Sequence, residues 1–400
     1  YGKGECLRCD VVIDGDEVKQ QAQDGEMGYQ LYAIHIEHTA QSGRGKEGER
    51  GFRAPNSADK EAIRKAEEAV QNDPELATLL NDEIPSGNKT SEPRRYGITK
   101  WRDMYSERQL LTHFTYWKAF EEVKEEIREE YDSEVADAIL TFLAIASDKS
   151  LNYSSRLSSW IKSRASVRSV FERHDFAFKW TFAESNLTAP GLGYDWVLDS
   201  IVEVYEELRE LSGHSNADID VYQGDAANLP ISDGETEVIV LDPPYYDNVI
   251  YSELSDFFYV WLKQLLESEY EGFKGSRAPH SESIVANPAE GKDAEDFEKE
   301  LRGAFETIRT ALKNDGVFSF TYHHSDSESW GELLQALCDV GFEVTATYPI
   351  NSDLNRLFEG ESVSFDIIVI ARPCDENGFA RNGFAGHAHD APCAGPVARA

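Results

Sequence analysis

Val238-Ile-Val-Leu-Asp-Pro-Pro-Tyr245 is an apolar run that stops on a carboxylate, two prolines and an aromatic ring. Three β-branched residues followed by leucine read as a buried strand. Proline fixes its own φ, carries no N–H and pushes the residue before it into the extended region, so Asp242-Pro243-Pro244 is a stiff exit from that strand. Such an exit holds two hydrogen-bond acceptors in place, the Asp242 carboxylate and a backbone carbonyl. Tyr245 then offers a flat face on which a planar ring can stack. Asp-Pro dipeptides also begin ordinary turns, so the weight of the motif rests on its surroundings.

Upstream, Val221-Tyr-Gln-Gly-Asp-Ala-Ala-Asn-Leu-Pro230 reads as a strand running into a Gly-Asp loop, with Gly224, Asp225 and Ala226 at its turn. Asp225 has a second reading as a plain turn or helix N-cap residue. The polar turn Ser232-Asp-Gly-Glu-Thr236 leads into the strand at 238–241. Downstream, Leu254 to Leu266 is apolar on most sides, as a buried helix requires, and 268–296 is a charged irregular stretch. A helix over 295–313 passes through Asn314-Asp-Gly316 into a strand, Val317-Phe-Ser-Phe-Thr-Tyr322. A helix over 328–340 and strands near 342–349 and 363–371 complete an α/β pattern, the last two as a closing antiparallel hairpin. In doubly wound sheets ligands bind outside the carboxyl ends of strands, where Asp225 and Asp242 both fall.

The N-terminal half reads differently. Strand-like stretches such as Tyr29–Ile36 give way to a polar loop over 41–57, and Ser57 is placed as the cap of a helix over 58–70. Residues 81–95 read as a linker. Leu110, Leu111, Phe114, Trp117, Phe120 and Val123 recur at three- and four-residue spacing, so 103–172 reads as helical. Within it, Lys162, Arg164 and Arg168 form a short basic cluster near Tyr153 and Trp160. It reads either as a nucleic-acid contact or as a solvated helix face. Residues 176–186 suggest a strand, Trp196–Leu208 an amphipathic helix, and 373–400 a disordered tail rich in Gly and Ala.

The formal net charge is −35 over 400 residues, with a pI near 4.6. In dilute salt such a surface repels polyanions. In a high-salt cytoplasm, where the Debye length shrinks to about 3 Å, it maintains solubility without forbidding nucleic-acid binding, and this is the reading adopted. A hydrophobic content of 40% excludes disorder for the bulk of the chain. No run of 18 or more apolar residues marks a membrane span. Cys338 reads as a core residue. Cys6 and Cys9 make a lone Cys-x-x-Cys, half of the four ligands tetrahedral zinc needs, whereas His35 and His38 match no zinc spacing.

The segment from Leu241 to Lys263, Leu-Asp-Pro-Pro-Tyr-Tyr-Asp-Asn-Val-Ile-Tyr-Ser-Glu-Leu-Ser-Asp-Phe-Phe-Tyr-Val-Trp-Leu-Lys, closely resembles the adenine-specific DNA methylases that contain a zinc ribbon. Tyr96–Leu111, Phe178–Asn186 and Thr345–Ile350 extend the resemblance over most of 96–372. It implies a Rossmann-like sheet that uses S-adenosylmethionine to methylate the exocyclic amino group of adenine in DNA. It also implies a zinc-ribbon remnant and linker over 1–95, a helical insertion over 96–175 and a catalytic domain over 176–372. Asp242 and the Pro243 carbonyl would hold the amine, Pro244 would fix the loop and Tyr245 would stack on the flipped base. Gly224, Asp225 and Ala226 would meet the cofactor, and Cys6 and Cys9 would be half of the zinc site.

In that family a Gly-rich cofactor loop lies well upstream of Asp-Pro-Pro-Tyr. Nothing before residue 221 reads as a strand entering such a loop, and Gly43-Arg-Gly-Lys-Glu-Gly48 reads as a solvated loop. The expectation is a C-terminal portion whose cofactor pocket is completed by an upstream segment or a separate subunit. Amino groups of cytosine, RNA or protein glutamine suit the same acceptors, and an inactive fragment or binding subunit of a split methyltransferase is the non-catalytic alternative. Asp rather than Asn at position 242 favours DNA.

Overall fold

The computed structural model describes residues 3–5, 8–37, 50–191, 193–213, 217–244, 246, 249–323, 327–351 and 365–374. The fold is mixed α/β and divides into two units, 1–216 with 252–278, and 217–251 with 279–400. Residues 176–216 and 252–278 thus fall in the first unit, within the span that the sequence reading assigns to a catalytic domain.

The first unit begins with a short hairpin, β1 (Gly4–Glu5) and β2 (Val12–Ile13), followed by α1 (Gly15–Gln23). A second hairpin pairs β3 (Ile34–Glu37) with β4 (Arg50–Arg53). Helix α2 (Ser57–Asn72) is capped by Asn56 rather than Ser57. The Asn56 carboxamide accepts from the Ala58 and Asp59 amides, and the Asp59 carboxylate returns to the Asn56 amide in a capping box. A short helix α3 (Pro74–Thr78) follows, and α4 (Ser91–Arg95) lies in the 81–95 region expected to be linker.

Two long helices follow, α5 (Glu107–Glu130), boxed by Ser106 and Gln109, and α6 (Ser133–Tyr153), capped by Asp132. Helicity stops there. Residues 159–168, expected to be helical, form a third hairpin, β5 (Ser159–Ile161) against β6 (Ser166–Arg168). Trp160, Ile161 and Val167 favour the extended backbone, and Ala165 closes the turn at φ 50°. No strand forms over 176–186; Phe176 is buried and the Ala183 amide donates to the Ser158 carbonyl. Helix α7 (Tyr194–Gly213) and helix α8 (Tyr251–Leu266) complete the helical elements.

In α8, Phe257, Trp261, Leu265 and Leu266 are buried, and the Trp261 indole donates to the Tyr105 hydroxyl at 3.1 Å. Leu265 and Leu266 pack with Phe120, Leu140 and Ala144 of α5 and α6. Glu253 is 3% exposed, and its carboxylate accepts from the amides of Asn88, Lys89 and Thr90 at 3.0, 2.8 and 3.4 Å. Backbone and carboxylate come so close that a Cβ at Gly87 would collide with Glu253. Asp256, also buried, accepts from the Ala278 amide at 2.8 Å.

His113 lies in the same core, its ring nitrogens facing the Ser154 carbonyl at 3.0 Å and the Tyr194 hydroxyl at 3.3 Å. Burial pushes its pKa from 6.5 down to about 4, because the cation would lose its hydration. The unfolded chain therefore takes up this proton near pH 6.5 while the folded chain does not. Stability is expected to fall as pH drops from 6.5 towards 4, by up to about 3 kcal/mol from this group alone. Urea unfolding across that range should show the slope flattened in His113→Gln relative to the parent; equal slopes would contradict it.

The second unit is built on one sheet. Strand β7 (Thr236–Leu241) runs parallel to β8 (Leu312–Tyr322), and α9 (Ala294–Ala311) lies between them in sequence. Helix α10 (Ser327–Asp339) leads to β9 (Phe342–Asn351), which pairs antiparallel with β10 (Phe365–Pro373). The strand order is β7-β8-β10-β9. The Asn314–Gly316 stretch, expected to connect the helix over 295–313 to the strand at 317–322, is part of β8. It forms an irregularity in which Thr236 faces Leu312 but Val238 faces Val317.

Side-chain alternation separates the two faces of this sheet. Phe318, Phe320 and Tyr322 of β8, with Val369 and Ala371 of β10, pack on Phe297, Leu301, Phe305 and Ile308 of α9 and Leu333 and Leu337 of α10. Burial of each such phenylalanine contributes about 1.5–3 kcal/mol. The opposite face carries Val238 and Val240, exposed at 57% and 72%, and Tyr348 at 56%.

Candidate active site

Asp242 follows directly on Leu241 at the carboxyl end of β7. Because Leu241 faces Phe320 across the ladder, Asp242 and Thr321 come next, side by side, on the open face of the sheet. The Thr321 hydroxyl donates to Asp242 Oδ1. The strand thus presents an exposed carboxylate that is oriented by its neighbour and not pulled into the core. Pro243 is buried and Pro244 half-buried, which anchors the exit.

Tyr245 lies outside the described residues. Tyr246 takes the left-handed conformation, φ 54°, a cost of about 1–3 kcal/mol for a bulky residue. Its ring meets Phe297 edge-on at 5.2 Å, and its carbonyl accepts from the Ala286 amide at 3.1 Å. The loop is therefore tied to the core just after the motif, and Tyr246 is a packing residue.

Two further side chains share this end of the sheet and were not singled out in the sequence. His323 continues the alternation from Thr321, and its Nδ1 lies 2.6 Å from the Asp366 carboxylate on β10. Once β8 is placed, the alternation Thr321, His323 is a usable signal. Asp366 had none, because its neighbour depends on the pairing of β10 with β8.

Gly224, Asp225 and Ala226 are exposed. The strand expected before them does not form: Ile219, Val221 and Tyr222 are exposed and pair with no strand among the described residues. A strand needs a neighbour for its backbone groups, and β7 pairs with β8. Asp225 takes the turn reading, with Oδ1 accepting from the Ala227 amide at 2.8 Å and its carbonyl from the Asn228 amide at 2.9 Å. The Thr307 hydroxyl of α9 donates to the Ala227 carbonyl at 2.7 Å. A cleft of about 450 Å³ lies here, lined by Ala227, Leu229, Ile231, Glu306 and Thr310 among others, and Asp242 is not in its wall.

The basic cluster is divided by the hairpin. Lys162 and Arg164 are exposed in its turn, whereas Arg168 is paired with Glu172 and half-buried. Cys9 is exposed in the turn between β1 and β2; Cys6 lies outside the described residues. Among the described residues no group of three or more His, Cys, Asp or Glu could hold a metal ion. The described residues do not make up a zinc site. His387, His389 and Cys393 also lie outside the described residues. Among the described residues no helix is long and apolar enough to cross a membrane.

No family model matches the chain. No curated protein matches it. Among solved structures, the chain is similar to a TehB-like SAM-dependent methyltransferase from Corynebacterium glutamicum, at 17% identity over 44% of this chain and 99% of that chain. The TM-score is 0.16, too low for that similarity to define fold or chemistry.

Proposed function

We propose that this chain carries the amine-holding half of an S-adenosylmethionine-dependent methyltransferase acting on the exocyclic amino group of adenine in DNA. The observation that carries the reading is Asp242, exposed at the carboxyl end of a parallel strand and oriented by Thr321. An aryl amine is a poor nucleophile because its lone pair is delocalised into the ring. Asp242 and the Pro243 carbonyl accept its two N–H groups and draw the lone pair out of that conjugation. S-adenosylmethionine, when bound, supplies an electrophilic methyl group. The amine nitrogen would bond to that methyl carbon as the carbon–sulfur bond breaks, its electron pair remaining on the sulfur of the departing S-adenosylhomocysteine, and the amine would shed one proton to water. Tyr245 is assigned to stacking on the extruded base.

The strand order β7-β8-β10-β9, with its antiparallel closing pair, supports the same reading. For the cofactor the residues fit only in part. Gly224, Asp225 and Ala226 supply one exposed edge, with Asp225 engaged in its own turn. Parallel strands are normally covered on both faces, yet Val238 and Val240 of β7 are exposed at the end of the sheet. We therefore assign the rest of the cofactor pocket to a segment, in the same polypeptide or a separate subunit, that covers this face and pairs with the edge of β7 that β8 leaves open.

The test is calorimetric titration with S-adenosylmethionine in molar potassium chloride, then transfer of labelled methyl to DNA and digestion to nucleosides. With the completing segment supplied, N6-methyladenine is the expected product. Label in cytosine, RNA or protein would replace the substrate, and micromolar cofactor binding by this chain alone would overturn the assignment of a completing segment. Thr321→Val should lower transfer about tenfold, the worth of one hydrogen bond to a charged group, with an unchanged unfolding midpoint. A rate equal to that of the parent would remove Thr321 from the site.

A further inference from the structure

Residues 149–171 contain Lys149, Arg156, Lys162, Arg164 and Arg168 and no acidic residue. At the chain's average a stretch of this length would carry about four. The fold engages three of the five cations. Arg156 donates to the Asp103 carbonyl, Lys149 lies over the Trp196 ring, and Arg168 pairs with Glu172. Lys162 and Arg164 are exposed in the β5–β6 turn and have no ion-pair partner among the described residues.

Beside that turn lies an aromatic group drawn from two hairpins. Trp160, two residues before Lys162, meets His35 of β3 at 4.8 Å and Phe52 of β4 at 5.7 Å between ring centroids. His35 and Phe52 meet at 5.3 Å. Phe52 is 62% exposed, an unusual position for a phenylalanine that already has two ring partners.

We propose that the β5–β6 turn and the ring group Phe52-Trp160-His35 form a docking surface for an unpaired stretch of nucleic-acid strand, with phosphates on Lys162 and Arg164 and a base stacked on Phe52. Charge complementarity selects the partner. A chain of net charge −35 repels a phosphate backbone in dilute salt and is screened in concentrated salt, so attraction has to be local in both and helped by contacts that carry no charge. Base stacking on an aromatic face is such a contact. The identity of the polymer rests on the reaction proposed above; the surface itself does not.

The test is binding of a fluorescein-labelled oligodeoxythymidine of about twenty nucleotides, by anisotropy, across a series of potassium chloride concentrations and without S-adenosylmethionine. Lys162→Ala/Arg164→Ala should lower the slope of log K against log salt by about 1.4, two single-strand phosphate contacts. Phe52→Leu keeps an apolar side chain but removes the ring. It should weaken binding about tenfold with the slope unchanged. Lys162→Glu/Arg164→Glu should abolish binding while leaving the unfolding midpoint where it was. Absence of binding by the parent chain, or variants with the parent's affinity and slope, would overturn the surface. Binding through this face without methyl transfer, once the completing segment is supplied, would overturn the reaction and keep the surface; methyl transfer with all variants binding like the parent would do the reverse.

Discussion

Asp242→Ala is expected to lower methyl transfer by about a thousandfold or more, equivalent to about 4 kcal/mol of transition-state stabilisation. The carboxylate is exposed, so its removal costs no core packing and unfolding should shift by less than about 1 kcal/mol. In the protein joined to its completing segment, affinity for S-adenosylmethionine should stay within about twofold of the parent, since Asp242 is assigned to the amine and not to the cofactor. Asp242→Asn keeps one acceptor and adds a donor aimed at the amine, so it should fall between the two. Single-turnover rates beside cofactor titrations separate these effects. Equal loss of rate and cofactor affinity in a folded Asp242→Ala chain would falsify the division of roles between Asp242 and Gly224–Ala226.

The second large effect is on stability. Glu253→Ala should destabilise the first unit by about 4 kcal/mol, because a buried carboxylate that gathers three backbone amides leaves them without their acceptor. Thr90 is 2% exposed and suffers most, whereas the amide of exposed Asn88 can turn to water. Glu253→Gln keeps the shape but sets an N–H₂ group against amide donors, and about half the loss is expected. Gly87→Ala should act from the other side of the contact, by steric collision. Urea midpoints in molar salt measure all three. A Glu253→Ala chain within about 0.5 kcal/mol of the parent would show that the 87–90 loop does not depend on this carboxylate.

The helices and strands of the second unit were legible because their signals are local. The apolar run of β7, the apolar periodicity of α9 and α10 and the alternation in β8 each lie within one element. Helix α8 was legible too, but the role of Glu253 was not, since its partners lie more than 160 residues away in sequence. The basic cluster was visible as charge and misread as helix. Lys, Ser, Arg and Ala are compatible with a helix, and what decides for a hairpin is the pairing of Trp160 with Val167 and the left-handed Ala165. Around the candidate site, Asp242 and Pro243 stood out through the Asp-Pro-Pro rule. Thr321, His323 and Asp366 become neighbours only when strand register is fixed, and register is not written within a single strand.

The order of strands also governs when the second unit can form during synthesis. Strand β10, made last of the four, lies between β8 and β9 and holds β9 to the sheet. Until residue 373 has left the ribosome, β8 lacks its antiparallel neighbour, and the phenylalanines beneath it have no Val369 or Ala371 to close over them. The unit thus waits on contacts far apart in sequence, which are slow to form and expose sticky edges meanwhile.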